Sequence, residues 1–288
     1  MQIKIFTFSG TGNTWWLVNE FKNIAINYGY DVDVSSIEQS SEITENKILK
    51  SINDSDILGF AYPIYGSDWP RFMRDFIFRF VEIFDQNRES IQREELPPVL
   101  VLTTMMMFSG DGALMPKKYF KKRGFPFKWG VNFALSSNLS VPMFRANPYE
   151  EEKLNENKQK AKKKLKKLLN RIKENKDWRE HQWNLIFRIV ALLQRVSEPL
   201  LFRIMHFGVD SKRCIQCMQC VDHCPTKAIH FDEETETFKF SDNCTFCMRC
   251  YNLCPKYAIT VNEKVCLPPK YERIEPIMDG FKFSDLHD

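Results

Sequence analysis

The chain has 288 residues, more than a typical single domain, so two compact units are expected. Apolar residues make up 43% of the sequence, enough for a sizeable core, and the net charge of +4 is too close to neutral to indicate a nucleic-acid-binding protein. Eight of the nine cysteines lie between positions 214 and 254, a distribution that favours metal-binding thiolates in a reducing compartment over disulfides. Because the N-terminus runs directly into strand-like sequence, we expect no signal peptide and therefore a cytoplasmic protein.

The first predicted elements are a strand at 3–8, a loop at 9–14 and a helix that ends near Gly29. A glycine-containing loop between a strand and a helix lets main-chain N–H groups at the helix start hold a phosphate. The loop has no lysine and does not match G-x-G-x-x-G, which excludes a Walker A loop and a Rossmann fingerprint. Glycine permits close backbone approach and positive φ. The predicted phosphate-binding residues are Ser9, Gly10, Thr11, Gly12, Asn13 and Thr14.

The run S-G-T-G-N-T after a first strand resembles the phosphate loop of flavodoxins, which bind FMN. The resemblance implies that these six residues hold the phosphate of FMN through hydrogen bonds and the dipole of the following helix. The alternative is a Ser/Gly/Asn turn that binds no ligand.

Four further strands are predicted at 32–34, 56–61, 99–104 and 131–135, with helices between them. Alternating strands and helices predict an α/β fold in which a parallel sheet is covered on both faces. The resemblance to flavodoxins specifies a doubly wound five-stranded sheet of order 2-1-3-4-5, with the ligand where strands 1 and 3 diverge.

A last helix of this domain is predicted to start at Asn147-Pro148. Its lysine-rich run at 160–167 is interpreted as a solvated face, with a docking surface for an acidic redox partner as the alternative.

Two loops of the sheet carry the residues predicted to contact a flavin ring. They follow strand 3 (Pro63, Ile64, Tyr65, Gly66) and strand 4 (Phe108, Ser109, Gly110, Asp111, Gly112). Aromatic faces stack on flat rings, and glycine lets main-chain groups approach the ring edge. For Tyr62 and Tyr65 the alternative is plain packing, and Asp111 either faces the pyrimidine edge or only forms the turn. The methionines before Phe108 depart from the family, so Phe108 or a methionine would replace its covering aromatic.

Residues 178–207 are strongly apolar, but Arg188, Arg195 and Arg203 form a polar stripe and Pro199 interrupts the helical pattern. A transmembrane helix needs about twenty apolar residues with few charges, so no transmembrane segment is expected. Three interpretations stay open, in order of preference: a helix pair packed between two domains, a homodimer contact, and shallow attachment to a membrane surface.

The cysteines form two runs of spacing C-x2-C-x2-C-x3-C-P, the second thirty residues after the first. This spacing is the signature of two iron–sulfur clusters, whereas zinc sites, the alternative, usually take two separated pairs. From about Gly208 to Thr260 the sequence resembles bacterial two-cluster ferredoxins. The resemblance implies that each [4Fe–4S] cluster takes three ligands from one run and one from the other: Cys214, Cys217, Cys220 and Cys254 for one, and Cys244, Cys247, Cys250 and Cys224 for the second.

The motifs together predict a flavodoxin-like FMN-binding domain at 1–177, an apolar helical linker at 178–207, a small α+β ferredoxin domain at 208–265 and a tail at 266–288. Cys266 is expected to be a packed residue, not a ligand. This order resembles bacterial ferredoxins with an N-terminal flavodoxin domain. We therefore predict electron transfer between FMN and two [4Fe–4S] clusters, and on to a redox partner that the sequence does not identify. The alternatives are an FMN-dependent reductase of a small molecule, and a ferredoxin whose flavin-free flavodoxin-like domain serves for docking.

Overall fold

The computed structural model of the chain describes residues 1–38, 43–141, 147–181, 184–186, 189, 191–193, 195–196 and 204–272. Its first part is built on one parallel sheet of spatial order β2-β1-β3-β4-β5-β6. The strands are β1 (Gln2–Thr7), β2 (Asp31–Ser36), β3 (Ile57–Pro63), β4 (Val99–Met105), β5 (Phe127–Ala134) and β6 (Trp178–Arg179). The predicted flavodoxin-like order is confirmed for five strands, and the sixth was not predicted.

Helices cover both faces of this sheet, as apolar strands buried on both sides require. They are α1 (Asn13–Ala25), α2 (Glu45–Asp54), α3 (Arg71–Gln86), α4 (Lys117–Lys121) and α5 (Glu151–Lys173). Residues of α1 and α5 share one core, and residues of α2, α3 and α4 share the other, which is rich in phenylalanine. All seven residues of β3, at the centre, are buried.

The sixth strand extends the sheet beyond β5. Trp178 pairs with Trp129, and the Glu180 carboxylate then accepts the main-chain N–H of Asn132 at 2.8 Å. On the same residue, the Lys164 ammonium donates to the carbonyl oxygen of Asn132 at 2.7 Å. A strand of two residues carries no period-2 signal, which is why the sequence pattern assigned it to the linker.

The last helix of this part, α5, starts later than predicted. Its cap residue is Glu150, whereas Asn147 and Pro148 precede the helix as irregular chain. The Asn147 side chain accepts a hydrogen bond from the Ser140 hydroxyl, so it fastens the loop after β5 instead of capping the helix.

The C-terminal part holds two small antiparallel sheets and two short helices. The sheets are β7 (Phe207–Val209) with β10 (Ile259–Val261) and β11 (Lys264–Val265), and a hairpin of β8 (Ile229–Asp232) and β9 (Thr237–Phe240). Its core includes Met248, Tyr251 and the fully buried Cys266, together with Val141 and Met205 from outside the domain.

The linker is described only in part, and Arg188, Pro199 and Arg203 lie outside the described residues. Six of its apolar side chains are 50–75% exposed instead of packed between the domains: Leu185, Ile186, Ile189, Leu192, Leu193 and Val196. Across the described residues, no helix combines the length and the apolarity needed to cross a bilayer.

Candidate functional site

The loop at 9–14 folds tightly between β1 and α1. Gly12 precedes α1 with a φ of 103°, a left-handed conformation that favours glycine. The Ser9 hydroxyl oxygen accepts hydrogen bonds from the amides of Gly12 at 3.2 Å and Trp15 at 3.1 Å. These bonds close the loop around the start of α1, where first-turn amides have no acceptor within the helix.

Asn13 and Thr14 fasten this loop to the ends of neighbouring strands. The Asn13 amide donates to the carbonyl oxygen of Ser136 at 3.0 Å, and the hydroxyls of Thr14 and Thr104 share a hydrogen bond of 2.8 Å. The Asn13 Oδ1 atom is buried and has no hydrogen-bond partner among the described residues. Such an acceptor is costly unless a bound molecule donates to it, so the loop fits a cofactor that carries hydroxyl groups and a phosphate.

A cavity of about 380 Å³ opens beside this loop, within the size range of small-molecule and cofactor sites. Ten of the predicted flavin-site residues line it: Ser9, Gly10, Thr11, Asn13, Thr14, Pro63, Ile64, Tyr65, Gly66 and Phe108. The predicted set did not include Ser67, Thr104, Met105, Met106, Met107, Ser136, Ser137, Asn138, Leu139, Met205, Phe246 and Met248, which line it as well. The lining combines one polar end at the loop with aromatic and methionine side chains, and this suits a flat ring joined to a phosphate.

The turn at 109–112 does not line the cavity. Its Asp111 carboxylate accepts a hydrogen bond from the Arg195 guanidinium, which also donates twice to the carbonyl oxygen of Ser67, at 2.9 and 2.8 Å. The Tyr62 hydroxyl donates to the carbonyl oxygen of Gly112 at 2.9 Å. The structure therefore places Asp111 in an ion pair that anchors the linker, and it places Tyr62 in the core.

Tyr65 lies where the cavity meets the second cysteine run. A Cβ atom at Gly10 would lie 2.3 Å from the Tyr65 hydroxyl and 2.9 Å from the carbonyl oxygen of Cys247. Burial raises the pKa of the Tyr65 hydroxyl well above its usual range, with a smaller contribution from Cys247 in the same direction. Gly10 is thus required for the close approach of the two domains, in addition to its predicted place in the phosphate loop.

The eight predicted cluster ligands surround two small cavities in the ferredoxin-like part. Cys214, Cys217, Cys220 and Cys254 line one, here called the first site. Cys224, Cys244, Cys247 and Cys250 line the other, here called the second site. Among the described residues, no three His, Cys, Asp or Glu side chains are placed to hold a single metal ion. Four thiols around a cavity are instead what a cluster, being wider than one ion, requires.

Burial is the largest influence on the pKa of three of these thiols. It raises the pKa of Cys220 to about 11 and that of Cys247 to about 12, and it raises the pKa of Cys250 well above its usual range. Neighbouring thiols add to the increase, because two thiolates repel each other. Positively charged iron offsets both effects by favouring the thiolate form, so the sites fit a metal cluster.

The second site and the large cavity share a wall. Phe246 and Met248, which flank Cys247 in the second cysteine run, line both spaces. Asn138 braces the same segment, because its side-chain amide donates to the carbonyl oxygen of Cys247 at 3.0 Å. A single layer of side chains therefore separates the predicted flavin site from one predicted cluster site.

One family model matches part of the chain. Residues 208–261 match the family model described as "4Fe-4S dicluster domain". No match is found among the curated proteins.

Similar solved structures include two flavodoxins. The two-electron reduced flavodoxin of Megasphaera elsdenii is 17% identical with a TM-score of 0.36, covering 45% of this chain and 84% of that one. A point mutant of the flavodoxin from Pseudomonas aeruginosa is 10% identical with a TM-score of 0.38, covering 60% of this chain and 99% of that one.

A third similar structure is the rubredoxin oxygen:oxidoreductase of Desulfovibrio gigas. It is 14% identical with a TM-score of 0.37, covering 57% of this chain and 36% of that one. The chain thus spans about a third of that enzyme's length. The match to the 4Fe-4S dicluster domain at residues 208–261 thus follows an α/β domain in which five strands have the flavodoxin-like order 2-1-3-4-5.

Proposed function

We propose that the chain is a ferredoxin with an N-terminal flavodoxin-like domain, which passes electrons between FMN and two [4Fe–4S] clusters and on to a redox partner. The observation that carries this proposal is the wall of Phe246 and Met248, shared by the large cavity and the second cysteine site. FMN exchanges electrons singly or in pairs, whereas each cluster passes one at a time, so the two together can join different kinds of donor and acceptor.

The α/β domain supplies the residues that would hold FMN. The loop at 9–14 would bind the phosphate through its amides and hydroxyl groups, and the orphaned Asn13 Oδ1 atom would accept a hydrogen bond from a hydroxyl of FMN. Tyr65 and Phe108 would contact the ring, and Leu139 with the methionines of the lining would exclude water from it.

The position of the two cysteine sites gives them different places in the route. The second site adjoins the flavin cavity, and Cys247 is only 8% exposed. The first site reaches the surface, where Cys217 is exposed and Ile215 is 56% exposed. Electrons would therefore pass between the flavin cavity and the second site, then the first site, then the partner.

Anaerobic reconstitution followed by photoreduction tests this proposal. We expect about eight irons and one FMN per chain, and light reduction of the flavin should be followed by bleaching of the cluster absorbance within the same molecule. A chain that takes up iron but no FMN would support the flavin-free docking alternative. A chain that binds both FMN and iron but shows no electron transfer between them would contradict the proposed function.

One observation favours a second candidate, an FMN-dependent reductase of a small molecule. The flavin cavity reaches the surface at Met107, which is 73% exposed, so a small apolar compound could enter over the ring. Saturable acceleration of flavin reoxidation by such a compound is the result that this candidate requires. Reoxidation that rises linearly with concentration, as in a bimolecular collision, would dismiss it.

A further inference from the structure

Arg249 lies between Cys247 and Cys250 in the second cysteine run, yet its side chain is 1% exposed and reaches into the α/β domain. Its guanidinium makes five hydrogen bonds, which accounts for every N–H donor that arginine has. Nε donates to the carbonyl oxygen of Gly10 at 2.9 Å, and Nη2 donates to that of Ser9 at 2.8 Å. The two remaining partners are the Glu38 carboxylate, bound at 2.6 and 2.7 Å, and the carbonyl oxygen of His223 at 2.8 Å.

These contacts join three segments that are distant in sequence. Ser9 and Gly10 belong to the predicted phosphate loop, and Glu38 follows β2 in the same domain. His223 precedes Cys224, the ligand that the other cysteine run gives to the second site. Arg249 therefore ties both ligand-bearing segments of the second site to the loop that would hold the FMN phosphate.

Arg249 binds carbonyl oxygens of the loop, and this affects the N–H groups of the same peptide units. The peptide units whose carbonyls accept from Arg249 carry the N–H groups of Gly10 and Thr11, and both of these residues line the flavin cavity. A hydrogen bond to the carbonyl of a peptide unit polarises that unit and makes its N–H a stronger donor. A cation behind the loop thus compensates for the absence of a positive side chain within it.

Breaking this connection is costly because it includes a buried ion pair. Separating Arg249 from Glu38, whose side chain is also 1% exposed, would leave an uncompensated charge in the interior. Arg249 stands between Cys247 and Cys250, so a rearrangement of the second cysteine run would move its guanidinium as well.

We propose that Arg249 is a positioning residue that couples FMN binding to the second cluster, so that each strengthens the binding of the other. This inference rests on the proposed function, because it requires that the loop bind FMN. Coupling of this kind is reciprocal: whatever factor the cluster adds to FMN affinity, FMN must add to cluster affinity.

The test substitutes Arg249→Gln in the full chain. The first cysteine run has Gln219 at the equivalent position, so glutamine is compatible with a ferredoxin-type cluster there. The matched control is Gln219→Ala, at that exposed equivalent. A second variant, Glu38→Gln, weakens the same contact from the α/β side without altering the cysteine run. The dissociation constant of FMN is measured by fluorescence titration of iron-loaded chains, and the iron retained against a chelator is measured with and without FMN.

We expect Arg249→Gln to raise the FMN dissociation constant at least about tenfold, within the usual range of coupling between sites. Glu38→Gln should shift it in the same direction by a smaller factor, and Gln219→Ala should leave it within about twofold. In the wild type, FMN should protect the iron of one cluster from the chelator, and this protection should disappear in Arg249→Gln.

Arg249→Gln and Glu38→Gln chains that bind FMN with the wild-type dissociation constant would overturn the inference, as would protection by FMN that persists in Arg249→Gln. If Arg249→Gln fails to load iron, Glu38→Gln decides by the same two measurements. A wild-type chain that loads iron but binds no FMN would instead overturn the proposed function itself, and the inference with it.

Discussion

The two cysteine sites have the same ligand spacing, yet their surroundings differ sharply. The second run is buried against the α/β domain, whereas the first faces solvent. Thr245 is 5% exposed in the second run, and its equivalent in the first, Ile215, is 56% exposed. The repeat keeps the spacing that two proposed clusters would need, whereas in the described part of the chain it is the second site that contacts the α/β domain.

Several positions that differ between the runs make docking contacts. Where the first run has Gln219 and Val221, the second has Arg249 and Tyr251, and the Tyr251 hydroxyl donates to the carbonyl oxygen of Ser140. Asn252 likewise donates to the carbonyl oxygen of Asn138 at 3.0 Å. A difference inside a repeat can thus mark an interface, although Met248, which the two runs share, lies there as well.

Removing one ligand from each site would test the comparison most severely. With Cys247→Ser, we expect internal electron transfer from the flavin to be abolished, because the second site is the one that adjoins the flavin cavity. With Cys217→Ser, the first internal step should persist while delivery to an external acceptor is lost. Flash reduction of the flavin, followed at the cluster absorbance, measures both steps, and iron counts confirm which cluster is missing. The reverse pattern would mean that the two sites have been assigned to the wrong ends of the route.

Chelation of iron should separate the two sites by rate. Cys217 is exposed and Cys247 is buried, so the first cluster should be lost several-fold faster than the second. Iron release into a chelator, followed anaerobically, is expected to show two phases of about four irons each. A single phase would show that the docking gives the second site no protection.

Exchanging the residues at one equivalent position of the two runs should lower the stability when the second run is changed and hardly alter it when the first run is changed. Thr245→Ile would overfill a buried contact and lower the free energy of unfolding by about 1–3 kcal/mol. Ile215→Thr, at the exposed equivalent, should change it by less than about 0.5 kcal/mol. Denaturant unfolding of both iron-loaded variants measures the difference, and equal effects would argue that Thr245 is not at a packed interface.

The smallest expected effect is that of Tyr251→Phe. It removes the hydrogen bond to the carbonyl oxygen of Ser140 and should cost about 0.5–1.5 kcal/mol, the usual net contribution of one such bond. The same denaturant titration measures it, with Val221→Ala in the first run as the control. A stability equal to wild type would indicate that this hydrogen bond contributes nothing net to docking.

Local patterns sufficed for much of the fold and for finding the eight cysteines that line the two small cavities. The loop at 9–14 and the eight cysteines were identifiable because their chemistry depends on spacing along the chain. The strand order followed from the resemblance that the loop carries. Each of these features needs only neighbours in sequence, or a rule about connections, to be inferred.

The interdomain contacts were not predictable in the same way. Arg249 and its acceptor Gly10 are separated by 239 positions, and Asp111 pairs with Arg195 across 84. No periodicity or motif links residues so far apart, so Asp111 was assigned to the flavin and Arg249 was passed over. One signal was available: a charged residue in the second run where the first has glutamine.

The two-residue strand β6 has a consequence for how this chain behaves among copies of itself. A long edge strand offers unpaired main-chain groups to other chains. Here the carboxylate of Glu180 and the ammonium of Lys164 occupy both main-chain groups of Asn132, which lies just beyond Gly130, the last residue of β5 that pairs with β6. These side chains thus occupy main-chain groups of β5 that β6 does not pair with. The outer edge of β5 is therefore a poor template for intermolecular strand addition.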